Sequence, residues 1–379
     1  MSDTNGYPYS PPSAGWSGEM PPNSPPLAGW HEAPGWSSPV GVRSAVTRTV
    51  LLFAACVLVM QILGGVIGVA IAFTNPAVMD VLRQHVASGS ADVSAIMNDP
   101  VFQQALGPAT LIGSIIGEAL GICCFFGLRG KKLLTSDIAT TRPVGRRWGQ
   151  LGAAVAAIFA VQLVLSLLNA LVVGTTGYDP SNVQSTMLDP VLNSVWGMLA
   201  AVFLLPFFEE LIFRGAIMRH LVPYGVNFAI VTQAVLFGLW HMNLYQGIFA
   251  VPMGLILGFV AYRFSLKWSF ALHALNNGFA MVMGLSWMPV WVAPAIMVLA
   301  ALVAVAVLVV HRDRIKGFLA AGAPPRPVAT WIAPGGVMPV SLQPSVIQPS
   351  PFRIGWASPA FIVVTALMFL VCCLMMQIA

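Results

Sequence analysis

The sequence has only thirteen acidic side chains and six histidines in 379 residues, and several of them stand within strongly apolar runs. Four such groups could do chemistry: Glu118, the Glu209-Glu210 pair with Arg214, His241, and His273 with Asn277. An ionisable side chain in lipid is costly to keep and by default marks a functional site. In FLLPFFEELIFRGAIMRHL, Glu210 and Arg214 are four residues apart on one helix face, acid before base. Arg214 can thus neutralise Glu210. Glu209 points about 100° away around the helix, toward a different environment, and is free to face a cavity. A carboxylate in a dry cavity suits general-base work. Pro206 removes a backbone hydrogen bond and predicts a kink beside the pair. His273 and Asn277, again four apart, can aim two hydrogen-bond donors at one point, and Asn276 is rotated off that face. Oriented donors in low dielectric stabilise developing negative charge.

Each group also has a structural reading. The ion pair could only lock packing, His241 beside Trp240 could be an interface residue, and His273 with Asn277 could tie helices together. Glu118, alone among small residues in GSIIGEALGICC, either bonds a neighbouring helix or lines the same cavity. It is left outside the core site.

These groups need elements to hold them. Hydrophobic residues are 57% of the chain and charged residues 8%, against roughly 25% charged in soluble proteins. That is too few polar side chains to cover a soluble surface. The fold class expected is all-α, a polytopic transmembrane bundle. Apolar runs near Val50–Phe73, Leu106–Phe126, Leu151–Val173, Leu192–Met218, Val226–His241, Ile248–Tyr262, Trp268–Met283 and Val290–Val310 give an eight-helix core. A ninth, C-terminal run, Ala360–Met376, follows a Pro-rich linker. The division expected is a disordered Pro/Gly/Trp tail over 1–42, a core over 43–316, a linker over 317–358 and the extra helix over 359–379. Gly-Trp recurs three times in the tail, which has nine prolines and no apolar core for a signal peptide.

Lys and Arg collect in alternate loops. Arg43 and Arg48 precede the first span; Arg129, Lys131, Lys132, Arg142, Arg146 and Arg147 follow the second. Arg219 follows the fourth, Arg263 and Lys267 the sixth, and Arg312, Arg314 and Lys316 the eighth. The opposite loops hold only Arg83, with Asp80, Asp92, Asp99, Asp179 and Asp189. The positive-inside rule therefore puts the N-terminus in the cytoplasm and the C-terminus on the other side, in the plasma membrane if the host is bacterial. The net charge of +5 follows this topology rather than one binding face, so nucleic acid is not an expected partner. The five cysteines all lie in apolar runs and suggest neither disulfides nor a zinc ribbon.

Helical rise sets depth. At 1.5 Å per residue, Glu209 lies about 15 Å from Arg219, Asn277 about 15 Å and His273 about 9 Å from Lys267, and His241 about 21 Å from Asn227. All four fall within a core about 30 Å thick, which argues for one shared cavity.

The order E-E-x-x-x-R, F-x-x-x-H, H-x-x-x-N resembles the signature of the CPBP family, the CAAX prenyl endopeptidases and Abi bacteriocin-processing and immunity proteins. Here it reads Glu209-Glu210-Leu-Ile-Phe-Arg214, Phe237-Gly-Leu-Trp-His241 and His273-Ala-Leu-Asn-Asn277, within about 190–285. The resemblance implies an intramembrane endopeptidase acting on a membrane-associated peptide or protein. It implies that Glu209 activates water, that His241 helps position and deprotonate it, and that His273 and Asn277 stabilise the oxyanion. Glu210 and Arg214 match the supporting carboxylate and its arginine. A metal is less clearly implied. Glu209, His241 and His273 would make a Glu/His/His zinc set, but no H-E-x-x-H is present, and similarity to the CAAX endopeptidases favours water activated without metal. The alternative is a non-catalytic membrane protein of the same fold: an immunity factor, scaffold or transporter. No internal repeat of the transporter kind is visible. Natural substrate and oligomeric state are not legible.

Overall fold

The computed structural model describes residues 39–87, 95–96, 99–139, 148–181, 194–285, 287–321, 332–333, 336–337 and 350–378. The tail up to residue 38, most of the linker, and the loop residues Asp92, Arg142, Arg146, Arg147 and Asp189 lie outside them. The chain is an all-α polytopic bundle. Among the described residues, the strands are a two-residue antiparallel pair, Ile332–Ala333 with Gly336–Val337.

Every apolar run forms a helix: α1 Pro39–Ala72, α3 Pro100–Gly121, α4 Trp148–Thr176, α5 Val195–Tyr224, α6 Val226–Trp240, α7 Leu244–Arg263, α8 Leu266–Met283, α9 Val292–Ala321 and α10 Pro359–Ile378. Between α1 and α3 lies α2, Pro76–Ala87, an amphipathic helix that the search for long apolar runs passed over. Among the described residues, six helices are long and apolar enough to cross a membrane, namely α1, α3 with its extension to Leu134, α4, α5, α7 and α9. Helix α1 begins at Pro39, where a proline fits because the first-turn N–H has no partner anyway. It thus takes in the last residues of the expected tail, just as α9 runs into the expected linker.

Close packing of α1 on α3 depends on glycine. A Cβ at Gly64 would lie 2.8 Å from the Gly113 carbonyl oxygen, and one at Gly117 would lie 2.8 Å from that of Met60. Small residues at four-residue spacing let membrane helices approach this closely. Phe53 of α1 meets Phe213 of α5 and Trp240 of α6 through ring contacts in the main apolar cluster.

Basic residues from separate connections meet at one end of the bundle. Arg129 grips Asp137 through two hydrogen bonds of 2.9 and 2.8 Å, and Arg219 pairs with the same carboxylate and donates to the Asp137 carbonyl at 3.0 Å. Arg48 donates to the Gly127 carbonyl at 2.7 Å. Arg263 likewise reaches Gln150 at the start of α4. These are residues the loop alternation assigned to one side.

The C-terminal helix is not remote from the core. Ser358, just before α10, shares a 2.8 Å hydrogen bond with Thr47 of α1, and Trp356 donates to Thr232 of α6 at 3.0 Å. Phe352 stacks edge-on against Phe228 of α6.

Candidate active site

Helix α5 is interrupted twice. A π-helical stretch, Ala200–Leu204, precedes the short α-helical turn Leu205–Glu210, and a second, Leu211–Met218, follows it. The kink expected at Pro206 therefore takes the form of wider turns on both sides. π-Turns of this kind gather at functional sites. Glu209 and Glu210 end the α-helical turn and are buried.

The expected ion pair is present. Arg214 Nη1 lies 2.9 Å from Glu210 Oε1, both side chains fully buried. Among the described residues, none of the three guanidinium nitrogens has a hydrogen-bond acceptor; the guanidinium sits over the Phe237 ring, 4.3 Å from its centroid. A desolvated guanidinium is stabilised by such a ring face. The same ring has edge contacts with His241 and His273, at 5.0 and 5.7 Å between centroids. The motif phenylalanine is thus a hub for three polar side chains, a role its spacing alone did not disclose.

His273 of α8 lies between the two glutamates. Its Nδ1 is 3.0 Å from Glu210 Oε1 and its Nε2 is 3.4 Å from Glu209 Oε2. A ring held this way donates to both carboxylates only as the imidazolium, when both its nitrogens carry protons. Glu209 was expected to be without a local partner; it interacts electrostatically with Arg214 of its own helix, and its close partner His273 comes from α8.

His241 caps the C-terminal end of α6. That helix has 15 residues, or about 22 Å at the helical rise, which is shorter than a bilayer's hydrocarbon core of about 30 Å. His241 Nδ1 is 2.9 Å from the Phe237 carbonyl oxygen, leaving Nε2 for the site. His241 also interacts electrostatically with Glu209, His273 and Arg214. The next residue, Met242, has φ 50°, a costly conformation for a side chain of that size, and Asn243 caps α7 by accepting from the Gln246 N–H.

Asn277 ties α8 to α5. Its Nδ2 donates to the Ala201 carbonyl at 3.0 Å, and its Oδ1 accepts from Asn276 at 3.1 Å. Asn276 in turn accepts from Gln162 of α4. One Asn277 N–H is therefore committed to α5, and Asn276 supports it. Glu118 of α3 is buried, its Oε2 has no hydrogen-bond partner among the described residues, and its carboxyl interacts with that of Glu209. It borders the site from which the sequence reading left it out.

Both His273 nitrogens face carboxylates, and among the described residues no three His, Cys, Asp or Glu side chains gather as a metal ion would require.

Comparison with curated proteins and with solved structures gave no match. Residues 191–279, the stretch holding all three motifs, match the family model described as type II CAAX prenyl endopeptidase Rce1-like, and this identifies that part of the chain as CAAX-protease-like.

Proposed function

We propose that the protein is an intramembrane endopeptidase that hydrolyses a peptide bond of a membrane-associated protein or peptide with water activated by Glu209. The observation that carries this reading is His273 held between Glu209 and Glu210 inside the family-matched segment. Glu209 takes a proton from water as the oxygen adds to the carbonyl carbon, and His241 Nε2 orients that water. As Glu209 takes up the proton it releases the His273 Nε2–H, which together with the second N–H of Asn277 stabilises the oxyanion in a dry site. Collapse of the intermediate breaks the C–N bond as Glu209 returns the proton to the leaving nitrogen. Glu210 and Arg214 hold His273 in place.

The reaction as written uses no metal or other cofactor. The partners are the lipid bilayer and a membrane-associated peptide or protein; nucleic acid is not among them. The clustering of Arg48, Arg129 and Arg219 at one end supports a cytoplasmic N-terminus and an opposite C-terminus, in the plasma membrane if the host is bacterial.

Glu209→Gln tests the reading. Membrane peptides from cells carrying this variant are compared with those from wild type. Intact substrate accumulates while the variant protein itself stays abundant; an identical peptide catalogue would contradict the proposal.

A further inference from the structure

Asn277 is bound to a carbonyl that has a specific reason to be unpaired. In the first π-helical stretch of α5, the Leu205 N–H bonds five residues back to the Ala200 carbonyl. Carried on by one residue, this spacing makes position 206 the donor to Ala201. Pro206 has no N–H. Ala201 is buried, so water cannot readily take the place of that donor. Asn277 Nδ2 supplies it from α8, at 3.0 Å.

We infer that Pro206 and Asn277 form a matched pair, the proline vacating the Ala201 carbonyl and the amide filling it, and that this tie sets the register of α8 on α5. His273 lies one helical turn from Asn277, and Glu209 three residues beyond Pro206. The two helices are thus pinned at Ala201 and again at the glutamates, and the first pin holds His273 where the second needs it. Gln162 and Asn276 extend the tie to α4. Asn277 is in this respect a positioning residue through one N–H, whatever its other N–H does. The inference assigns Pro206, Asn276 and Gln162 to the same site as the proposed peptidase reading but does not require that reading to hold.

The test reads register directly, in full-length protein carrying Glu209→Gln so that loss of cleavage cannot enter. A Cβ at Gly278 would lie 3.6 Å from Val202 Cγ1, so Val202→Cys with Gly278→Cys reports α5–α8 alignment by its rate of disulfide formation. The five native cysteines are replaced by alanine. Asn277→Ala should slow cross-linking by about tenfold, the scale of one unmet buried acceptor. Adding Pro206→Ala should restore the rate to within about twofold, because the new N–H leaves the Ala201 carbonyl paired whether the turn stays π-helical or reverts to α. Should Asn277→Ala fail to accumulate as folded protein, the same pairing predicts that Pro206→Ala rescues its yield. Equal effects of Asn277→Ala with proline or alanine at 206, or no rescue of yield, would overturn the inference. Cleavage is measured separately with Glu209 intact, so a failed peptidase reading and a failed tie give different results.

Discussion

Helices α5 and α9 both lie in apolar sequence, yet they solve opposite problems. In the most apolar stretch of α5, 39% of residues are buried; in that of α9, 6% are. Helix α9 packs mainly on α4 and leaves Leu302, Val305 and Val309 exposed, as a lipid-facing helix can. Helix α5 carries two glutamates and an arginine into the interior and is twice interrupted by π-helical turns. Irregular backbone inside a membrane is tolerated where protein covers it. The contrast teaches that regular helix suffices for spanning, whereas presenting charge inside the bundle requires partners from α6 and α8.

Substitutions should divide along that contrast. The largest effect is expected at Arg214→Met, which leaves Glu210 buried without its ion pair and costs about 3–5 kcal/mol. Reversible unfolding in mixed micelles measures it; a loss under about 1 kcal/mol would show that the pair does not hold α5. Phe237→Leu comes next. It removes the ring under Arg214 and the edges against both histidines, a loss of about 2 kcal/mol for the cation–π contact alone, and peptidase rate should fall with stability. Leu302→Ala on α9, 65% exposed, should change stability by no more than about 0.5 kcal/mol and leave cleavage unchanged. A large effect there would mean that α9 faces a partner rather than lipid.

The smallest effect lies outside the spans. The Ser181 hydroxyl first, then the Ser181 N–H and the Asn169 amide, hold the Asp179 carboxyl below its usual range. A depressed folded value means that stability is present above the unfolded value of about 3.9 and lost as pH falls through the folded one. Asp179→Asn should therefore flatten the acid side of the melting-temperature profile and leave its neutral region nearly unchanged. An unaltered acid slope would remove Asp179 from the account.

Much of this was legible in the sequence because charge is scarce there. Glu209, Glu210, Arg214, His241 and His273 stood out as ionisable groups in apolar runs, and the structure brings them together. The loop alternation likewise anticipated that Arg129 and Arg219 would share one end, although Asp137, the acid that joins them, was not considered. Contacts that depend on backbone register were not legible. The missing N–H of Pro206 could be read, but not the π-helical spacing that makes Ala201 the carbonyl it leaves open. Phe237 was legible as part of the F-x-x-x-H motif, but not its ring contacts with Arg214, His241 and His273. The glycines at 64, 68, 113 and 117 did carry a signal, four-residue spacing on two helices, that the search for charged groups passed over.

An experimental structure in lipid, resolved well enough to place side chains, tests most directly whether α5, α6 and α8 assemble one reactive cluster. The account predicts the His273 ring between Glu209 and Glu210, within hydrogen-bonding reach of both, with His241 Nε2 turned toward Glu209. Acyl chains packed against the Glu209 carboxylate, or His273 bonded to neither glutamate, would contradict it.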